Sequence, residues 1–238
     1  MPNKESLQSQ QLPLGIALRD DCTLDTFYVG DNQQILEQLR LTAKGQGEQF
    51  IYLWGREGVG RTHLLQGVCN DASRFGQGAV YLPLAELKDH NPTKLVDGLE
   101  RVNIVCLDDI ETIAGNPPYE EALFYLFNRL RAANRRLLVG SNCPPALLPM
   151  KLADLKSRLA WGVTYQIQPL DDEQLIAALQ LRAKQRGLEL SHEVGMFLLR
   201  RAQRSMPHLY ELLAQLDNAS MALQRRLTIP FVKSVLDL

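Results

Sequence analysis

The 238-residue chain is 45% hydrophobic and 22% charged with a formal net charge of -1, which suits a globular protein with one sizeable core and a small second domain. The near-neutral balance argues against a domain that grips DNA by bulk electrostatics, since such domains carry a clear basic excess. No run reaches the roughly 18 apolar residues of a membrane span, and "MPNKESLQSQQLPLG" has no hydrophobic signal region, so a cytoplasmic location without membrane contact is expected.

After a polar tail, "NQQILEQLRLTA" (32–43) repeats apolar residues at helical spacing, and "QFIYLW" (49–54) is a short apolar run ending at a glycine-rich turn. Strands and helices then alternate. "AVYLP", "NIVCLDD", "RLLVGSN" and "VTYQIQP" read as strands, with helical stretches such as "YEEALFYLFNRLRAAN" between them. Continuously apolar strands with intervening helices predict an α/β unit whose parallel sheet is covered on both faces. From Asp171 onward only amphipathic helices remain: "DDEQLIAALQLRAKQRG", "SHEVGMFLLRRAQR", "PHLYELLAQLDNASMALQRR" and "IPFVKSVLD". The expected organisation is a flexible segment over 1–20, an α/β nucleotide domain over 21–170 and an all-α lid over 171–238.

Cys22, Cys69, Cys106 and Cys143 are widely spaced, without a C-x-x-C pair or a zinc spacing, and read as free thiols. Two basic groups stand out, Arg129, Arg131, Arg135 and Arg136, and Arg200, Arg201 and Arg204. Cations near helix C-termini on solvated faces account for both.

The chemistry begins in "LWGREGVGRTHLL". Gly55, Gly60, Arg61 and Thr62 fit the G-x-x-x-x-G-K-[ST] template with one substitution, between a strand and a helix as that template requires. Glycines let the backbone curl so that N–H groups converge on phosphate oxygens at a helix N-terminus, which nominates Glu57, Gly58, Val59, Gly60, Arg61, Thr62 and His63 as nucleotide-binding residues. Arg61 stands where the template has lysine. A guanidinium is a planar fork rather than a compact point charge, so binding is expected to survive and hydrolysis to be weak or absent.

"NIVCLDDI" sets Asp108 and Asp109 at the C-terminal end of an apolar strand, where an open α/β sheet places its ligand crevice. Thr62 and, through water, Asp108 would hold Mg2+, and Asp109 would orient an attacking water. A further strand ends in "VGSN", bringing Asn142 to the same edge to sense phosphate or water.

In order, "GREGVGRTHLL", "VCLDDIE", "LLVGSNCPP" and "LKSRLAWGVTYQIQPLDDE" resemble the AAA+ P-loop ATPase domain of the bacterial replication initiator DnaA, and most nearly the regulatory branch of that family, which inactivates the initiator. The resemblance runs from about Gln11 to Leu238 and implies a five-stranded parallel sheet with a helical lid. It makes "TLDTFYVGDNQQ" the entry segment over the nucleotide base, adding Phe27, Tyr28 and Val29 to the binding set. It puts an arginine finger, which acts on a neighbouring subunit's nucleotide, at Arg158 in "LKSRLAWG". The family's second sensor arginine falls at Pro207 here, with Arg204 or His208 as substitutes.

The same resemblance implies that Gln11, Leu12 and Leu14, in "QQLPLGI", dock in the β sliding clamp of DNA polymerase III, so that DNA is met only through the clamp. Nothing after the lid resembles the initiator's helix-turn-helix domain. The implied function is negative regulation: a chain holding a nucleoside diphosphate, ADP or one with another base, presents Arg158 to ATP bound by DnaA. Self-association through AAA+ faces stays open. The alternatives are an autonomous ATPase of helicase-loader or clamp-loader type, supported by Asp109, Asn142 and Thr62 and opposed by Arg61 and Pro207, and a DNA-binding initiator fragment, opposed by the charge.

Overall fold

The computed structural model describes residues 18–237. Its α/β part runs α1 (Gln33–Ala43), β1 (Phe50–Trp54), α2 (Arg61–Arg74), β2 (Ala79–Pro83), the single turns α3 (Leu84–Leu87) and α4 (Pro92–Leu95), β3 (Ile104–Asp108), α5 (Pro117–Ala132), β4 (Arg136–Ser141), α6 (Ala153–Leu159) and β5 (Val163–Gln166). Each apolar run expected to be a strand is one. The five strands pair in parallel in the order β2-β3-β4-β1-β5.

Side chains alternate across a strand, so β1, β3 and β4 feed two cores. Tyr52, Val105, Leu107, Leu137 and Val139 face α5 and α6, with Phe127, Leu126 and Leu159. Ile51, Leu53, Ile104, Cys106 and Leu138 face α1 and α2, with Leu36, Leu39, Leu64 and Val68. Covering both faces explains why these strands read as unbroken apolar runs rather than alternating ones. It also makes β3, β4 and β1 neighbours, so the loops after all three emerge side by side.

Helices α7 (Asp172–Gln185), α8 (His192–Arg201), α9 (Met206–Leu223) and α10 (Ile229–Leu236) form the lid around a core of their own, including Leu179, Leu198, Leu213, Leu216 and Phe231. Their starts are written in the sequence. Asp171 and Gln174 form a reciprocal capping box on α7, Ser191 caps α8 and Thr228 caps α10. Pro207 and Pro230 occupy first-turn positions of α9 and α10, where a missing N–H costs nothing.

All four cysteines are free thiols; Cys22, Cys69 and Cys106 are buried and Cys143 half-buried. Among the described residues no helix is long and apolar enough to cross a membrane. Gln11, Leu12 and Leu14 lie outside the described residues.

Candidate nucleotide-binding site

The loop between β1 and α2 curls over the ends of β1 and β4. Gly58 (φ 81°) and Gly60 (φ 102°) take left-handed conformations that L side chains rarely adopt. At Gly60 there is also no room, since a Cβ would lie 2.7 Å from the Phe27 ring. The entry segment therefore packs directly on the phosphate loop, and Gly60 becomes the N-cap of α2, aiming that helix's free N–H groups into the crevice.

Thr62 Oγ1 donates to Asp108 Oδ2 at 2.7 Å, and Tyr81 OH donates to the same oxygen at 2.8 Å. The other Asp108 oxygen accepts from the backbone N–H of Asp109 at 3.0 Å. Asp108 is fully buried, and a Cβ at Gly140 of the neighbouring strand would lie 2.6 Å from its Oδ1, so β4 needs glycine there. Thr62 is exposed and lines the cavity, with a buried carboxylate behind it. This donor set fits a magnesium ion that keeps water and phosphate oxygens as most of its ligands. Among the described residues no group of three or more His, Cys, Asp or Glu forms a self-sufficient metal cage.

Arg61 folds back into the protein. Its guanidinium donates to the Gly55 carbonyl at 2.9 Å, pairs with Asp109 Oδ1 at 3.2 Å and lies 3.9 Å from Glu111 Oε1. Its side chain is only 11% exposed, so these contacts are screened little by water. Asp109 itself adopts a left-handed backbone (φ 54°), which aspartate tolerates better than most residues and which begins the turn Ile110–Ile113. Burial and the adjacent Asp108 push the Asp109 carboxyl up to about 6, against the opposing pull of Arg61.

A cavity of about 720 Å³ opens between this loop and the lid. Phe27, Tyr28, Glu57, Gly58, Val59, Gly60, Arg61, Thr62, His63, Asp109 and Asn142 all line it, so the structure brings most of the expected set together. Three differ. Val29 is half-buried and packs against the core cluster that includes Phe27 rather than lining the cavity. Arg204 stands outside the cavity, its guanidinium 3.4 Å from Asp172 at the start of α7. His208 is likewise absent from the wall and faces Glu211 at 3.8 Å. Pro207 does reach the loop, with its Cδ 3.5 Å from the position of a Cβ on Gly58, so the lid touches the loop there through an uncharged ring.

The cations of the cavity wall besides Arg61 are instead Arg182 on α7, Arg186 at its C-cap, and Arg19, which shares the Asp21 carboxylate with Arg182. Arg182 is 5% exposed, donates to the Asp21 carbonyl at 3.0 Å, pairs with the Asp21 carboxylate and lies 5.2 Å from the Tyr210 ring centroid. The sequence carries a signal for it, a guanidinium inside the apolar stripe Leu175, Leu179 and Ala183, and a buried arginine requires a partner. Asn32 is a second residue found only in three dimensions. Its amide donates to Gln168 O at 3.1 Å and accepts from Gln168 N at 2.7 Å, stapling the entry segment to the chain leaving β5.

Arg158 lies elsewhere. It belongs to the last turn of α6 and lines no part of the cavity; its Cζ is 5.9 Å from the Phe127 ring centroid.

The model of the bacterial DnaA ATPase domain matches residues 18–166, more than half of the chain. The chain belongs to the DnaA ATPase-domain family. The remainder is similar to a second model, the Hda lid domain, which matches residues 171–236 and makes this an Hda-type, DnaA-related AAA+ protein. Solved structures agree on the fold. Domain III of the replication initiation protein DnaA from Thermotoga maritima is 20% identical with a TM-score of 0.77, covering 93% of this chain and 98% of that one. AMPPCP-bound DnaA from Aquifex aeolicus is 24% identical with a TM-score of 0.72 over 88% and 69% of the two chains. A RuvB mutant from Thermotoga maritima reaches 17% identity and a TM-score of 0.69 over 91% and 71%.

Proposed function

We propose that this chain is a negative regulator of replication initiation that holds a nucleoside diphosphate, most simply ADP, and supplies Arg158 in trans to ATP bound by the initiator DnaA. The observation that carries this reading is the division of labour between two arginines. Arg61, inside the chain's own site, is committed to Gly55, Asp109 and Glu111, whereas Arg158 lines no part of that site's cavity. In this reading residues 1–20 tether the chain to the sliding clamp through Gln11, Leu12 and Leu14, residues 21–170 bind the nucleotide and residues 171–238 form the lid.

Each residue has a task. Backbone N–H groups of Gly58 to Thr62 cradle the α- and β-phosphates, and Tyr28 with Phe27 flanks the base. Thr62, backed by Asp108, would hold Mg2+, which when bound neutralises phosphate charge. Asp109 and Asn142 sit where an attacking water would be oriented, but Asp109 gives its carboxylate to Arg61, which removes it as a free base. Arg158 contributes only when two AAA+ faces dock, and a finger supplied in trans is typically worth about 10³ to 10⁵ in rate. Tethering to the clamp raises the regulator's effective concentration on newly copied DNA.

The second reading, an autonomous ATPase, is favoured by the intact Thr62–Asp108 contact and by Asn142 on the cavity wall. Two assays separate the readings. The regulator accelerates decay of ATP preloaded on DnaA when clamp-loaded DNA is present, and the Leu12→Ala/Leu14→Ala variant loses that acceleration. An autonomous enzyme instead shows steady-state turnover alone that disappears in Asp109→Ala.

A further inference from the structure

Of the four arginines grouped around the end of α5 and the start of β4, three are spent inside the chain. Arg129 pairs with Glu100 at 3.1 Å and donates to Val96 O, Arg135 donates to Glu100 O, and Arg136 donates to Gln46 O. Arg131 is different. Its Cζ lies 4.5 Å over the ring of Trp161, and among the described residues its guanidinium has neither an ion pair nor an acceptor.

Trp161 is itself 52% exposed and stands on the aromatic cluster that carries Arg158. Phe50 and Phe127 stack at 4.3 Å between centroids, and Trp161 meets them edge-on at 5.5 and 6.1 Å. Arg158 lies over Phe127 and also lacks an ion pair among the described residues. The platform is firmly held. Gly162, directly after Trp161, has no space for a Cβ because the Phe50 carbonyl occupies it, and buried Glu120 accepts from Lys151 N at 3.1 Å and Leu152 N at 2.6 Å, fixing the chain that enters α6.

An aromatic face holds a cation in place without neutralising it, unlike a carboxylate. Two guanidiniums are therefore presented with their charge available, around a half-exposed tryptophan, and Trp and Arg are the residue types that dominate protein interfaces. The complementary surface is acidic. This chain's own nucleotide face carries carboxylates of that kind: Glu57 lies on the phosphate loop, and Asp109 and Glu111, paired with Arg61, line the cavity beside it.

We propose that Arg131 and Trp161 extend the Arg158 surface into one docking site for the acidic phosphate-loop rim of an ATP-bound AAA+ partner. Arg131 pairs with a carboxylate of that rim, and Trp161 positions it. The inference rests on Arg158 acting in trans, and it assigns Arg131 to affinity rather than rate.

The test titrates the full-length regulator against ATP-loaded DnaA at several salt concentrations, reading both binding and single-turnover ATP decay. For Arg131→Gln, exposed and remote from the cores, the half-saturating concentration rises about tenfold, the plateau rate is retained and the salt dependence flattens. Trp161→Phe, which keeps a ring under the guanidinium, stays within about threefold of wild type, and Trp161→Ala matches Arg131→Gln. Arg158→Ala lowers the plateau. The proposal is overturned if Arg131→Gln titrates like wild type at every salt, or if it loses only plateau rate. It is equally overturned if the variant disrupts a homodimer in sedimentation while leaving DnaA affinity intact, which would give the surface to a second copy. Should wild type bind DnaA without accelerating decay, the trans reading fails while the binding arm still reports on Arg131.

Discussion

Arg61 and Asp109 are bound to each other, 3.2 Å apart, at the place where a phosphate-binding loop and an acidic strand end would ordinarily leave their charges free for the ligand. The pair ties together the two halves of a hydrolytic site. A side chain that must release Asp109 and Glu111 before meeting phosphate holds its ligand with less gain from that contact, and a carboxylate neutralised by guanidinium is a poor base. Arg61→Lys, which shortens the reach and removes the fork, is expected to free Asp109. Steady-state turnover by the isolated protein should then rise by at least about tenfold, a barrier change of about 1.4 kcal/mol, while Arg61→Lys/Asp109→Asn stays at background.

Gly60 tests the loop. Replacement by alanine adds a left-handed penalty of about 1 to 2 kcal/mol to the overlap with Phe27, so Gly60→Ala should melt several degrees lower and lose nucleotide binding by calorimetry. Gly76→Ala, also at positive φ but with open space around it, should lower the melting temperature and leave binding intact.

The clasp between Arg182 and Asp21 joins α7 to the chain just before the entry segment. Arg182→Met leaves the half-exposed Asp21 carboxylate with only its 3.4 Å pair to Arg19 and should cost about 1 kcal/mol. Release of a fluorescent diphosphate, followed by stopped flow, should accelerate about tenfold. Asp21→Asn in the Arg182→Met background should add little, because the two changes break one interaction.

Two half-buried groups give opposite pH dependences. Burial lowers His63, whose Nε2 lies 2.9 Å from Thr23 O, so the folded state resists the proton that the unfolded chain accepts near 6.5, and stability falls as pH drops through that value. Asp109, raised to about 6, binds a proton in the folded state before the unfolded chain does, so stability rises as pH drops from about 6 towards 4. Urea titrations across pH 4 to 8 should therefore show a weaker acid loss in His63→Gln and a steeper one in Asp109→Asn.

The strands and lid helices were legible because burial writes itself as period: unbroken apolar runs for β1, β3 and β4, and amphipathic stretches for α7 to α10, three of them with side-chain caps. The phosphate loop and Asp108 were legible for the same local reason, since glycine torsions and a strand-end carboxylate are short-range requirements. The lid's contribution was not. Whether Arg204 or Arg182 faces the cavity depends on how α7 and α9 are set over the entry segment, and the partner of Arg182 is 161 residues away in the chain. The core contact of Val29 and the Asn32 staple are likewise products of tertiary packing.

The central claim is that the chain's own site holds a nucleotide while Arg158 acts on another protein's ATP. Its most direct test is single-turnover decay of ATP preloaded on DnaA, with clamp-loaded DNA and either wild-type protein or Arg158→Ala. The account predicts that wild type accelerates decay by at least about 10³ and that Arg158→Ala binds equally but leaves the rate at its unassisted value. Acceleration that survives loss of Arg158, or none with wild type alongside turnover by the isolated chain, would contradict it.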